Sequence, residues 1–190
     1  MRRRMMMMAL GRLWNWPTIP SWDVFSRQLN SEIATTTPIA TRSAMGADLS
    51  GTSRWTGGVL GPDGKIYGIP YSSTDILIID PVAGTATRSA MGADLSGSTK
   101  WFGGVLGPDG KIYGIPFNST DILIIDPIAG TATRSAMGVS LNDSAEWNGG
   151  VLGPDGKIYG IPFDSTDILA IAHDRALSSR LALDPRLNKF

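Results

Sequence analysis

An all-β fold of repeated four-stranded antiparallel units is what this 190-residue sequence predicts, and three observations predict it. First, the sequence repeats itself. Trp55, Trp101 and Trp147 stand 46 residues apart, and "GGVLGPDGKIYGIP" occurs unchanged at 57–70, 103–116 and 149–162. A period of that size marks stacked supersecondary units rather than one ordinary core. Second, short apolar runs alternate with turn residues, and the repeat carries no helical periodicity. Third, 23 glycines and 12 prolines supply tight turns at short intervals.

Each unit then reads in order. "WTGGVL" (55–60) is the first strand, and "GPDG" turns it back. Pro62 presets φ at the first turn position, and Gly64 takes the left-handed conformation that closes the turn. "KIYGIP" (65–70) returns to the loop "YSST" (71–74). "DILIID" (75–80) is a continuous apolar run, which predicts a strand buried on both faces. "PVAG" (81–84) turns the chain into "TATRSAM" (85–91), the fourth strand, and "GADLSGSTK" (92–100) crosses to the next unit. Asp80 and Asp126 are expected to cap the turns that follow them.

Four antiparallel strands in 40–50 residues make the blade of a β-propeller. The unit "GGVLGPDGKIYGIPYSSTDILIIDPVAGTATRSAMG" resembles the YVTN-type propeller repeat, which is similar to the Kelch and quinoprotein repeats. The resemblance covers roughly residues 40–172 and implies the fold, not one function, because such propellers serve as binding modules, lactonases and redox enzymes. The expected organisation is a leader over 1–38, three blades of 46 residues over 39–173, and a tail over 174–190.

The ends of the array set a puzzle. "ATRSAMG" (40–46) is a fourth strand with no blade before it, and the last unit breaks at Ala172-His173, where Asp-Pro stood earlier. Closed propellers have 4–8 blades, so three make a partial ring. Two accounts fit: the chain is an arc of a longer ring, or residues 40–46 of each chain complete the last blade of a partner. The second gives a homodimeric, six-bladed ring. It has a physical motive, because a blade flank rich in Ile and Leu should not face water.

Composition excludes several classes. The formal net charge is zero, with 17 basic and 17 acidic residues, so a basic surface for nucleic acid or anionic membrane is not expected. No apolar run reaches the roughly 20 residues of a membrane-crossing helix. There is no cysteine, hence neither a disulfide nor thiol chemistry, and the compartment is left open. "MRRRMMMMALGRLWNW" opens a disordered or loosely packed leader, with Trp14, Trp16 and Trp22 as apolar anchors; it is Arg-rich and acid-poor as targeting segments are, but its apolar core is short for a secretory signal. Leu177, Leu181 and Leu183 suit one short amphipathic helix before Pro185.

Specificity is expected where the copies differ. In an up-and-down blade the two-three loop and the crossover share one face. That face carries the sets Arg54, Lys100 and Glu146; Thr56, Phe102 and Asn148; Tyr71, Phe117 and Phe163; and Ser72, Asn118 and Asp164. Asp75, Asp121 and Asp167 lie beside them unchanged. Drift at exposed loop positions accounts for such variation more readily than tuned binding does.

Other residues are weaker candidates. Trp55, Trp101 and Trp147 suit inter-blade packing better than ligand stacking. Asp63, Asp109 and Asp155 belong to Pro-Asp-Gly turns rather than a metal site. Catalysis has little support: His173 is the single histidine and stands where the repeat degenerates, and no His/Cys cluster has zinc spacing. The sequons at Asn118 and Asn142 would carry glycan only in a secreted protein. No cofactor or metal is expected, and the ligand or protein partner is not legible. The sequence therefore favours a non-catalytic propeller scaffold for ligand or protein binding. The alternatives are a lactonase- or quinoprotein-like enzyme, or a shortened duplicate of one without independent function.

Overall fold

A computed structural model describes residues 39–141 and 144–173. The leader over 1–38, the sequon at Asn142 and the tail helix lie outside the described residues. From Ser43 onward the described residues belong to one compact unit, and residues 39–42 belong to a separate one.

Three antiparallel sheets follow one another along the chain. Blade 1 is β1 (Trp55–Leu60), β2 (Ile66–Pro70), β3 (Ile76–Asp80) and β4 (Thr85–Ser89), paired in that order. Blade 2 repeats it with β5 (Trp101–Leu106), β6 (Ile112–Pro116), β7 (Ile122–Asp126) and β8 (Thr131–Ser135). Blade 3 has β9 (Trp147–Leu152), β10 (Ile158–Pro162) and β11 (Leu169–Ile171), with no fourth strand among the described residues. The first strands β1, β5 and β9 pack side by side across the blades.

Turn chemistry explains why "GPDGKIYG" repeats unchanged. The Asp63 carboxylate accepts the Lys65 amide at 3.3 Å and the Tyr67 hydroxyl at 2.8 Å, so it closes the turn and anchors β2. Asp109 with Tyr113 and Asp155 with Tyr159 do the same. Burial and the hydrogen bond to Asp63 push the Tyr67 hydroxyl well above the usual tyrosine range, and Tyr113 follows. Asp80 caps its turn by accepting the amides of Val82 and Ala83, and Asp126 accepts those of Ile128 and Ala129.

The two glycines of "WTGGVL" have separate reasons. Gly57 sits at φ +66° in a β-bulge of the β1–β2 ladder, and a Cβ there would lie 3.2 Å from the Gly103 Cα of the next blade. Gly104 instead leaves room for Ile69 of the preceding blade, and Gly150 for Ile115. A side chain at Gly57 would hold neighbouring first strands apart, and one at Gly104 would push against β2 of the preceding blade.

The core lies between blades. One cluster joins Val59, Tyr67, Ile69 and Ile76 of blade 1 to Leu95, Trp101, Ile112, Leu123 and Ile125 of blade 2. The next joins the equivalent Val105, Tyr113, Ile115 and Ile122 to Leu141, Trp147, Ile158, Leu169 and Ile171. Each blade therefore has a trailing half-core and a leading half-core. His173 takes the place that Pro127 has in the first junction. Pro127 lies against Gly61, whereas His173 lies against Gly107 and meets the Tyr113 ring edge-on at 5.1 Å.

Three sequence expectations are corrected. Residues 39–44 form no strand, because a fourth strand needs a third strand beside it to bond with. The strand expected over 85–91 ends at Ser89, since Met91 turns at φ +49° ahead of Gly92. "DILIID" is not evenly buried on both faces: in blade 2 Ile122, Leu123 and Ile125 are buried, but in blade 1 only Ile76 is. The same sequence lies between two blades in one case and at the head of the arc in the other.

Candidate functional site

The face that carries the two-three loops is tied together by backbone at one repeat position. The Arg54 carbonyl accepts the amides of Tyr71, Ser72 and Ser73, holding the loop of its own blade. The Lys100 amide donates to the Tyr71 carbonyl at 2.9 Å, and the Lys100 carbonyl accepts Phe117 and Asn118. Glu146 repeats both bonds, to the Phe117 carbonyl and from Phe163. Lys100 and Glu146 are thus joints between successive blades whatever their side chains.

The side chains there do different things. Arg54 lies over the Trp55 ring at 4.7 Å and donates to the Ser50 carbonyl. Glu146 is buried. Lys100 is only 4% exposed, and its Nζ donates to the carbonyls of Tyr71, Ser73 and Gly97 at 3.2, 3.1 and 2.8 Å. Burial, ahead of the nearby Arg134 guanidinium, pulls the Lys100 ammonium down to about 8. The unfolded chain, with an ordinary lysine near 10.4, then holds more protons than the folded chain across that interval. Stability from this group therefore rises as pH climbs from about 8 toward 10. Urea midpoints of the wild type, taken relative to Lys100→Met, should increase over that range; a flat difference would contradict it.

Thr56 also bridges blades: its hydroxyl donates to the Trp101 carbonyl at 3.0 Å and accepts the Gly103 amide at 3.2 Å. Ser72 accepts the Thr99 amide at 3.2 Å. The Asn118 amide group donates to Thr99 Oγ1 at 2.8 Å and its oxygen accepts the Ala145 amide. The Asp164 amide donates to the Ala145 carbonyl at 3.2 Å, and its side chain is exposed.

The aspartates form a second layer. Each tryptophan donates its indole N–H to the carbonyl of the aspartate twenty residues later: Trp55 to Asp75 (2.8 Å), Trp101 to Asp121 (2.7 Å), Trp147 to Asp167 (3.0 Å). The Asp75 carboxylate pairs with Arg88 at 2.7 Å, and Asp121 pairs with Arg134 at 3.1 Å. Arg88 and Arg134 also lie over Trp55 and Trp101. Sequence reasoning missed these arginines. Hairpin arithmetic would have found them, because the register Ile76↔Ser89 puts Asp75 diagonal to Arg88. Asp167 is exposed and has no arginine partner among the described residues.

Four of the candidate residues come together as a row of rings. Tyr71 meets Phe102 edge-on, with centroids 5.8 Å apart and planes at 84°. Tyr71 and Phe117 lie 5.9 Å apart, Phe102 and Phe117 5.8 Å, and Phe117 and Phe163 5.7 Å. The row crosses all three blades. Phe163 is 57% exposed and the other three are half-buried. Asn148, the counterpart of Phe102 on β9, is exposed. Among the described residues no three His, Asp or Glu side chains group as a metal site.

No family model matches the chain, and no curated protein does. Solved structures match. One is a catalytically inactive virginiamycin B lyase from Staphylococcus aureus with quinupristin: 20% identity, TM-score 0.50, covering 66% of this chain and 41% of that one. The selenomethionine form of the lyase matches at 16% identity and TM-score 0.50, covering 68% and 44%. An auxiliary nutrient binding protein from Bacteroides ovatus matches at 20% identity and TM-score 0.49, covering 65% and 29%. At these identities the likeness shows the fold alone, and the fold is that of β-propeller blades. The chain spans less than half the length of the lyase structures it matches.

Proposed function

We propose that this chain is a non-catalytic propeller scaffold with a YVTN-type repeat, binding its ligand across the two-three-loop face. The observation that carries the reading is the row Tyr71, Phe102, Phe117 and Phe163. Contiguous, partly exposed rings favour a ligand with a flat apolar face, such as an aromatic ring or the apolar side of a sugar. Asn148 is exposed at the repeat position that Phe102 holds in the row. Two of the three repeated aspartates beside this face, Asp75 and Asp121, are committed to arginines rather than free to hold a metal.

Nuclear magnetic resonance titration with a panel of aryl glycosides tests it. Saturable shifts at the four rings are expected, and Phe117→Ala, which removes the ring touching the other three, should weaken binding about tenfold or more, in line with an aromatic pair term plus lost apolar area. Binding indifferent to Phe117→Ala, or no binding across the panel, would overturn the reading.

A further inference from the structure

We propose that two copies of this chain close head to tail, each supplying the strand and the half-core that the other's third blade lacks among the described residues. The molecule shows the blade junction twice, and shows both halves of it once more uncovered. On the trailing side, Val105, Ile115 and Ile122 of blade 2 are 9%, 0% and 1% exposed under blade 3. Their counterparts Val151, Ile161 and Ile168 are 54%, 49% and 67% exposed. On the leading side, Leu95 and Leu141 are 2% and 7% exposed, whereas Leu49 is 41% exposed. The socket is present too. Gly104 and Gly150 are filled by Ile69 and Ile115, but Gly58 has only Ile66 and Tyr67 of its own blade within reach. The partner's Ile161 is the side chain that fits it.

The strand count gives the same partner. Residues 39–43 carry the sequence position of Thr85–Ser89 and Thr131–Ser135 yet form no strand, and among the described residues β11 has no fourth strand beside it. The registers Leu77↔Arg88 and Leu123↔Arg134 set Arg42 opposite Leu169 of the partner subunit. Charge then matches. Arg88 pairs with Asp75 and Arg134 with Asp121, so Arg42 is placed to pair with the partner's Asp167. Because each copy has one leading and one trailing side, two copies form a twofold ring of six blades, within the range of closed propellers.

Light scattering on the full chain at micromolar concentration should give twice the 20.2 kDa chain mass. Ile161→Asp should give a monomer with an unchanged circular dichroism spectrum. Arg42→Asp should weaken association about tenfold, and adding Asp167→Arg to the same chain should restore it by exchanging the charges of the pair. Gly58→Leu alone should also be monomeric, while a mixture of Gly58→Leu and Ile161→Asp should associate through the one intact junction. A monomeric wild type, a dimer that survives Ile161→Asp, or a charge-exchanged chain weaker than Arg42→Asp alone would overturn the proposal.

Discussion

Trp101→Ala is expected to lower folding stability by about 3–5 kcal/mol, the cost of truncating a large aromatic in a packed core. Trp101 is fully buried in the first inter-blade cluster and donates its indole N–H to the Asp121 carbonyl. Lys100 and Arg134 both lie over its ring, so truncation also removes two cation–π contacts. Trp55→Ala provides the internal control. Trp55 has the same indole bond and two guanidinium contacts but is only half-buried, because it leads the arc. The difference between the two variants therefore reports packing between blades. Urea denaturation followed by circular dichroism, below the concentration at which copies associate, measures it. Equal losses would show that the tryptophans act within a blade instead.

Gly104→Ala is the second large effect, expected to cost about 1–3 kcal/mol through overpacking. A Cβ at Gly104 would lie 2.8 Å from Ile69 Cδ1 and 3.1 Å from the Tyr113 carbonyl oxygen. The isoleucine is the nearer obstacle and comes from another blade. Ile69→Val removes that Cδ1 and on its own should cost about 0.5–1.5 kcal/mol as a small cavity. Combined, the two should cost less than their sum, and the double-mutant cycle measures the shortfall. Additivity would place the strain at the Tyr113 backbone rather than between blades.

What the sequence made legible was local. β1 begins at Trp55 as expected, the Pro-Asp-Gly turns form, and Asp80 and Asp126 cap their turns, because each is decided within a few neighbouring residues. Tyr71, Phe117 and Phe163 were legible as one face of the repeat, but the ring contacts between them depend on how far successive blades rotate. Lys100 was legible as a loop cation, yet three carbonyls from two parts of the chain enclose it. The pairing of Asp75 with Arg88 spans a hairpin, and the roles of Gly57 and Gly104 depend on the next and preceding blades. Identical sequences at 76–80 and 122–126 differ in burial, so no reading of a single repeat would have separated them. Position in the arc decides that, and a local pattern does not encode it.

The pair of inter-blade clusters has a consequence for how such a chain changes over time. The apolar clusters that hold one blade to the next use residues at the same offsets, from Leu95 and Trp101 to Leu141 and Trp147. Recombination that inserts or deletes one whole 46-residue period keeps the apolar part of every seam in register. A slip of any other length would break one seam at once. The heritable part is therefore the seam rather than the blade, and near-identity between copies is what lets blade number vary without a redesigned interface.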